Sequence, residues 1–295
     1  MMDDASAPNR ALLREIVGHW RAVARRQGAA VRACGSVEVF IHPRSAAPDA
    51  NFVMPHPYAI AIAPDDLAHG LRLLGAAERR ARVVVPGALV PPIDAPGATL
   101  GLTRTGARPI LVYQPLEGPH LPGETPYGRL PLSLPPRVSA WVVEAPRDLV
   151  IWLEVLHTGQ AVDPLSAQGN AGDEIAPLLD TAAGADRFVL AAYDDIPLGA
   201  ARLSLNPPAS AWLALVTTAP LWAGMGLEVA LVACAVRTAL DEGARVIFTC
   251  ADGPDQARFY RRLGFVDHGP LWIYDGEPRA EQIGESSAEQ GEAPL

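Results

Sequence analysis

The stretch PLWAGMGLEVALVACAVRTALDEGARVIFTCADGPDQARFYRRLGF, residues 220–265, decides how this chain is read. Two glycines, Gly224 and Gly226, stand where a strand-like run, WLALVTT, gives way to a long apolar segment that ends at Gly243. Apolar positions run nearly all round that segment, which predicts a buried helix over residues 226–243 with Gly243 as its stop. A strand that feeds a helix through glycines leaves the first helical N–H groups without carbonyl partners. Those donors, with the positive end of the helix dipole, suit a phosphate or a diphosphate. Glycine also lets a ligand approach the backbone closely, because no Cβ intervenes. The competing reading is that both glycines serve only a tight turn or close packing of helix on sheet.

Composition narrows the function classes. At 295 residues the chain has room for one large domain or two of ordinary size. Apolar residues make up 49%, which supports a substantial core and excludes wholesale disorder. No apolar run approaches the roughly 18–20 residues needed to span a bilayer. The start MMDDASAPNR lacks the basic-then-apolar order of a secretory signal, so a soluble, cytoplasmic protein is expected, without membrane partners. A net charge of −9 argues against a general nucleic-acid binder. Every basic side chain counted as Lys or Arg is Arg, which excludes lysine Schiff-base and lysine phosphate-loop chemistry. Cys34, Cys234 and Cys250 form no C-x-x-C pair and no zinc pattern with the scattered histidines, so no metal is expected. Cys234 and Cys250, inside apolar runs, read as small buried residues.

Outward from the central stretch, PLEGPHLPGETPYGRLPLSLPP, residues 115–136, holds seven prolines and reads as a linker between two lobes. The first lobe, residues 11–114, follows a flexible start over residues 1–10. It opens with a helix whose apolar positions are Leu12, Leu13, Ile16, Val17, Trp20 and Val23. Residues 31–41 alternate like a strand, and NFVMPHP follows. PDDLAHGLRLLGAAERR carries helix-start signals at Pro64 and the two acids after it. RARVVVPG predicts a strand; TLGLTRTGARPILVYQP predicts a short helix or strand and then another strand. The second lobe, residues 137–275, opens with the strand VSAWVVEAP. The helices RDLVIWLEVLHTG and DEIAPLLDTAAG follow, then a hairpin turning at residues 194–197 and the strand WLALVTTAP. After the central helix come the strand RVIFTCA, a short helix over DQARFYRRLG and a closing strand pair in FVDHGPLWIYDG. Residues 276–295, with five Glu and one Arg, are expected to be a disordered tail.

FYRRLGF places Tyr260 on the short helix, followed by a glycine turn and Phe265. Taken with VIFTC before it and WLALVTTAPLWAGMG upstream, this resembles the GCN5-related N-acetyltransferase (GNAT) family over about residues 138–275. The resemblance implies an α/β (α+β) fold: a mixed, mostly antiparallel, splayed sheet with helices on both faces, in two tandem lobes. It also implies acetyl-CoA as co-substrate. On that basis the main-chain N–H groups of Ala223, Gly224, Met225, Gly226 and Leu227 hold the diphosphate. Leu215, Val216 and Thr217 pair through their backbone with the pantetheine amides where the strand splays from its neighbour. Tyr260 protonates the departing thiolate, and the acceptor is an unidentified small amine.

Three departures from the family's pattern stand out. Its basic or amide position before the glycines falls on Leu221, an Asn seven residues before the Tyr falls on Gly253, and WLALVTT lacks the Glu that frequently serves as base. Candidate bases are Glu154 and His157 on the first helix of the lobe, and Asp194 and Asp195 in the hairpin turn. Trp222 is a candidate cover for the adenosine side. The first lobe has neither the glycine loop nor the Tyr segment. It is expected to be a degenerate copy that binds no CoA and walls the acceptor site, with Asn51, His56 and Tyr58 as contributors. A non-catalytic acyl-CoA-binding protein and an aminoacyl transferase are the competing readings. Nothing in the spacing encodes the acceptor, the acyl length or the oligomeric state.

Overall fold

A computed structural model describes residues 6–114, 130–131, 133–160, 185–206 and 209–276. The expected helix DEIAPLLDTAAG, most of the Pro-rich linker and the acidic tail beyond Gly276 lie outside the described residues. The chain divides into two compact units, one of residues 1–27 and 108–271, here the C unit, the other of residues 28–107 and 272–295, the N unit. The sequence assigns the first helix, α1 (Ser6–Arg26), to the N-terminal lobe, whereas the structure groups it with the C unit. The division falls inside the long strands β5 (Leu102–Tyr113) and β11 (Phe265–Gly276), which contribute residues to both units.

In the N unit, β1 (Ala30–Cys34) and β2 (Val37–Ile41) form an antiparallel hairpin. This corrects the single strand expected over residues 31–41: Gly35, at φ +58°, turns the chain there. β2 pairs antiparallel with β3 (Phe52–Pro55), which pairs parallel with β4 (Ala81–Pro86). Helix α2 (Pro64–Ala76) buries Leu67, Gly70 and Leu74. A short α3 (Asp94–Thr99) precedes β5, which is one continuous strand rather than a helix or strand followed by another. β11 is likewise one strand rather than a closing pair, because it runs on through Gly269 and Pro270 instead of turning there.

The C unit orders its strands β5-β10-β9-β8-β7-β6, with β6 (Val138–Val142), β7 (Asp186–Tyr193), β8 (Ile196–Asn206), β9 (Ser210–Thr218) and β10 (Val246–Cys250). Only β9 and β10 run parallel in this set; the other described pairings are antiparallel. β7 and β8 turn at Asp194 and Asp195, whose φ angles of 48° and 63° give the left-handed pair that a two-residue hairpin favours.

Alternation along β7 and β8 sends neighbouring residues to opposite faces. Val189, Ala191, Ala201 and Leu203 join the core of α5 (Leu227–Asp241), while Phe188, Leu190 and Ala200 join that of α4 (Pro146–Gln160). Helix α5 is buried nearly all round, at Leu227, Ala230, Leu231, Val232, Ala233, Ala235, Val236 and Ala239. Gly199 on β8 lets it lie close to the sheet: a Cβ there would stand 3.0 Å from Leu231 Cδ1. On the other face, Trp152 of α4 donates from Nε1 to the Ala201 carbonyl at 2.9 Å. Helix α1 packs on β8, β9 and β10, setting Trp20 edge-on to Trp212 and Phe248. Burial of Leu13, Ile16, Val17, Trp20 and Val23 holds it there, each side chain contributing about 1.5–3 kcal/mol. A short helix, α6 (Pro254–Arg262), carries Tyr260 into the α5 side of the core.

Candidate active site

The site begins where two strands part. β9 and β10 pair at Ser210↔Val246, Ala211↔Ile247 and Trp212↔Phe248, and there the described pairing ends. β10 continues to Cys250 on β5, and β9 continues to Thr218 on β8. A bulge helps to turn β9 away: Leu203 faces Leu213 and Arg202 faces Leu215, so Ala214 is the extra residue. Leu215, Val216 and Thr217 therefore have β8 on one edge and no described strand on the other. An edge of this kind presents unpaired amides and carbonyls to an extended ligand.

The loop that follows supplies donors. A turn of 3-10 helix (Pro220–Trp222) leads through Ala223 to Gly224 and Gly226, at φ +81° and +89°. A Cβ on Gly224 would meet nothing within 4 Å, whereas one on Gly226 would stand 2.7 Å from Pro135 Cγ. The two glycines thus answer to different demands. Both need the left-handed backbone, Gly226 also packs against Pro135, and Gly224 leaves its outer side open. Gly226 caps α5 without a side-chain hydrogen bond. Among the described residues, no acceptor meets the N–H groups of Gly224, Gly226, Leu227, Glu228 or Val229; the first helical bond runs from Ala230 to the Gly226 carbonyl at 3.0 Å. Ala223 and Met225 bond back to Pro220 and Trp222, which closes the turn and takes their N–H groups out of the donor set expected for the diphosphate. Ala223, Gly224 and Met225 are all exposed, so the cradle opens to solvent. A diphosphate fits these donors and the helix dipole behind them.

Tyr260 is 2% exposed and edge-on to Phe265 at 5.2 Å. Burial raises its pKa well above the ordinary phenol value, with the neighbouring Thr249 hydroxyl pulling the other way. The phenol therefore stays protonated at neutral pH. Thr249, on β10 just past the last residue paired with β9, donates to the Leu213 carbonyl at 2.9 Å. Tyr260 and the parting strands thus meet at one residue that sequence reading overlooked, because a threonine inside VIFTC reads simply as part of a strand.

The other sequence candidates fall differently. Leu221 is 96% exposed and brings no donor to the loop. Trp222 packs on Tyr193, ring centres 5.3 Å apart, which ties it to the hairpin rather than leaving it free to cover a ligand. Asp194 is held by Arg137 through Nε and Nη2, and that guanidinium lies 4.6 Å over the Tyr193 ring. Glu154 is exposed on α4. The last turn of α4, which carries His157, lies against β9: a Cβ on Gly159 would come within 2.4 Å of Thr217 Oγ1. In the N unit, Asn51 is fully buried, accepting from the His42 N–H and donating to the Ser45 and Ala47 carbonyls, so it staples a loop. Tyr58 is 72% exposed and beside His56. Cys250 is the thiol nearest the wedge, and burial pushes its pKa up to about 12, so it is an inert thiol. Among the described residues, no three His, Cys, Asp or Glu are grouped to hold a metal ion, and no helix is long and apolar enough to cross a membrane.

Two features of the site carried no sequence signal. Glu228, in the first turn of α5, accepts a hydrogen bond from the Thr218 hydroxyl at 2.8 Å, which draws its carboxylate to the strand end. His19 of α1 sits under β9 with Nδ1 2.9 Å from Ser210 Oγ and its ring edge-on to Phe248.

Comparison with known proteins agrees with this geometry. Residues 160–265 match the model of the acetyltransferase (GNAT) family. Comparison with curated protein sequences finds no match. Among solved structures, the chain is similar to a GCN5-related N-acetyltransferase from Kribbella flavida, with a TM-score of 0.65 and 17% identity, over 94% of this chain and 96% of that one. It is similar to a tandem GNAT protein from the clavulanic acid biosynthesis pathway, with a TM-score of 0.57 and 14% identity, over 86% and 85%. A GCN5-related N-acetyltransferase from Sphaerobacter thermophilus gives a TM-score of 0.57 and 14% identity, over 83% and 77%. These likenesses are of fold. Residues 160–265 thus carry the sequence pattern of the acetyltransferase (GNAT) family, in a chain whose fold is that of tandem GNAT proteins.

Proposed function

We propose that the C unit is an acetyl-CoA-dependent N-acyltransferase that moves an acetyl group to the amine of a small acceptor by direct attack. The observation that carries this reading is the sequence of features along β9. The strand leaves β10 after Trp212, and its loop then offers five N–H groups without a described acceptor at the start of α5. An extended thioester in the wedge, with its diphosphate on Gly224, Gly226 and Leu227, would bring its carbonyl beside Val216. A main-chain N–H there polarises the carbonyl, and proximity supplies most of the rate gain. The neutral amine attacks, and Tyr260 gives its proton to the sulfur as the C–S bond breaks, a step worth about 10²-fold or more. Proton loss from the amine runs through water, since β9 carries no carboxylate and Asp194 is committed to Arg137. A cytoplasmic site of action belongs to the same proposal.

Leu221, exposed and uncharged, favours a second reading in which the fold binds an acyl-CoA without turning it over. Calorimetry with acetyl-CoA, followed by thiol release in the presence of a panel of amines, separates the two. The transferase reading expects micromolar-range binding, thiol release with at least one amine, and slower release after Tyr260→Phe. Binding with no turnover supports the second reading, and no binding defeats both.

A further inference from the structure

Thr249 occupies a position where the core asks for an apolar residue. It is 3% exposed, stands opposite Leu111 on β5, and lies between Ile247 and Ala251 on the α5 side of the sheet. Valine has nearly the same shape, and a buried hydroxyl is costly unless it is hydrogen-bonded. The hydroxyl has a partner because the strands part. Once the ladder ends at Trp212↔Phe248, the Leu213 carbonyl faces β10 without a main-chain donor opposite it, and Thr249 Oγ1 donates to it at 2.9 Å. Its lone pairs remain available toward the Tyr260 hydroxyl, which α6 brings into this same α5 side of the core.

We propose that Thr249 is a positioning residue for acetyl transfer, holding the strands at the point where they part and stabilising the Tyr260 oxygen as it gives up its proton. The proposal rests on the reading of Tyr260 as the general acid. When the C–S bond of the thioester breaks, the electron pair stays on sulfur; the Tyr260 O–H bond breaks as an S–H bond forms, leaving a phenolate. A phenolate at so buried a position needs a donor. The Thr249 hydroxyl has one hydrogen and two acceptors, the Leu213 carbonyl at rest and the phenolate after transfer. Rotation about its Cβ–Oγ1 bond moves the hydrogen from one to the other. The proton released by the amine returns through solvent and restores the phenol, so no further reactant is required.

The test compares Thr249→Val, which keeps the shape and deletes the hydroxyl, with Thr249→Ser, which keeps the hydroxyl. Each is made alone and together with Tyr260→Phe, and thermal unfolding first establishes that all of them fold. With the amine that releases thiol from acetyl-CoA fastest, Thr249→Val is expected to lower kcat about tenfold with KM for acetyl-CoA within about threefold. Thr249→Ser is expected to stay within about threefold of the parent in both. In the Tyr260→Phe background, Thr249→Val is expected to cost nothing more. Calorimetry with CoA, whose thiol meets the Tyr260 hydroxyl, gives a readout without an acceptor: about fivefold weaker binding for Thr249→Val, less than twofold for Thr249→Ser, and no difference after Tyr260→Phe. Equal losses with and without Tyr260 would show a merely structural threonine and overturn the proposal. If the parent protein binds no CoA, or Tyr260→Phe leaves turnover intact, the proposed site or the acid reading fails first and takes this proposal with it.

Discussion

His19 turns the packing of α1 into a measurable pH dependence. It is fully buried between α1 and β9; Nδ1 meets Ser210 Oγ, and Nε2 has no described partner. Burial, with the nearby Arg26 charge, lowers its pKa from 6.5 to about 3. The unfolded chain therefore takes up a proton that the folded chain refuses. Stability is full above pH 6.5 and falls as the pH drops from there toward 3, by up to about 1.4 kcal/mol per unit. The expected loss from His19 alone is about 2 kcal/mol at pH 5 and about 4 kcal/mol by pH 3. His268, also lowered by burial, adds loss in the same direction. His19→Asn keeps an amide atom near the place of Nδ1, and with it the bond to Ser210, but cannot ionise. Urea unfolding at pH 7.5, 6.5, 5.5 and 5.0, followed by tryptophan fluorescence because Trp20 and Trp212 flank the site, gives stability against pH for both proteins. The variant is expected to be less stable at pH 7.5, because the smaller side chain leaves space, yet to lose about one proton's worth less stability per pH unit below 6.5. Parallel curves for parent and variant would refute the argument that His19 folds as a buried neutral ring.

Gly224→Ala, strained only by its φ of +81°, is expected to cost about 1–2 kcal/mol and to weaken acetyl-CoA. Gly226→Ala also drives a Cβ into Pro135 and is expected to cost more, so thermal unfolding should rank the two in that order. Leu221→Arg adds a cation at a position 96% exposed; acetyl-CoA should bind about fivefold tighter in calorimetry at low salt, with the gain fading at high salt and no change in unfolding. Trp152→Phe leaves the buried Ala201 carbonyl without its donor and should cost about 1–3 kcal/mol in urea unfolding.

Much of the C unit was legible in its local pattern. An apolar run bounded by Gly226 and Gly243 specifies a buried helix whatever surrounds it, and a glycine pair before a helix specifies left-handed backbone with free donors. The place of Tyr260 on its short helix was legible as well, because that helix, the turn and Phe265 lie within six residues. The long-range arrangements were not. The periodicity of α1 identifies its apolar stripe, but Leu13, Ile16 and Val17 suit any apolar surface, so only the tertiary structure decided that they cover β8 to β10. Residues 31–41 show the same limit: alternation continues through a hairpin, and only Gly35's left-handed φ reveals the turn. At the site itself, the sequence determined that the first N–H groups of α5 lack partners, since that follows from neighbours in the chain, but not that Ala223 and Met225 bond back to Pro220 and Trp222. Where β9 leaves β10, and hence why position 249 needs a hydroxyl, depends on strand pairing between residues more than thirty apart. Hydrogen bonds along a helix close within the local sequence, whereas those of a sheet are completed only when distant segments meet.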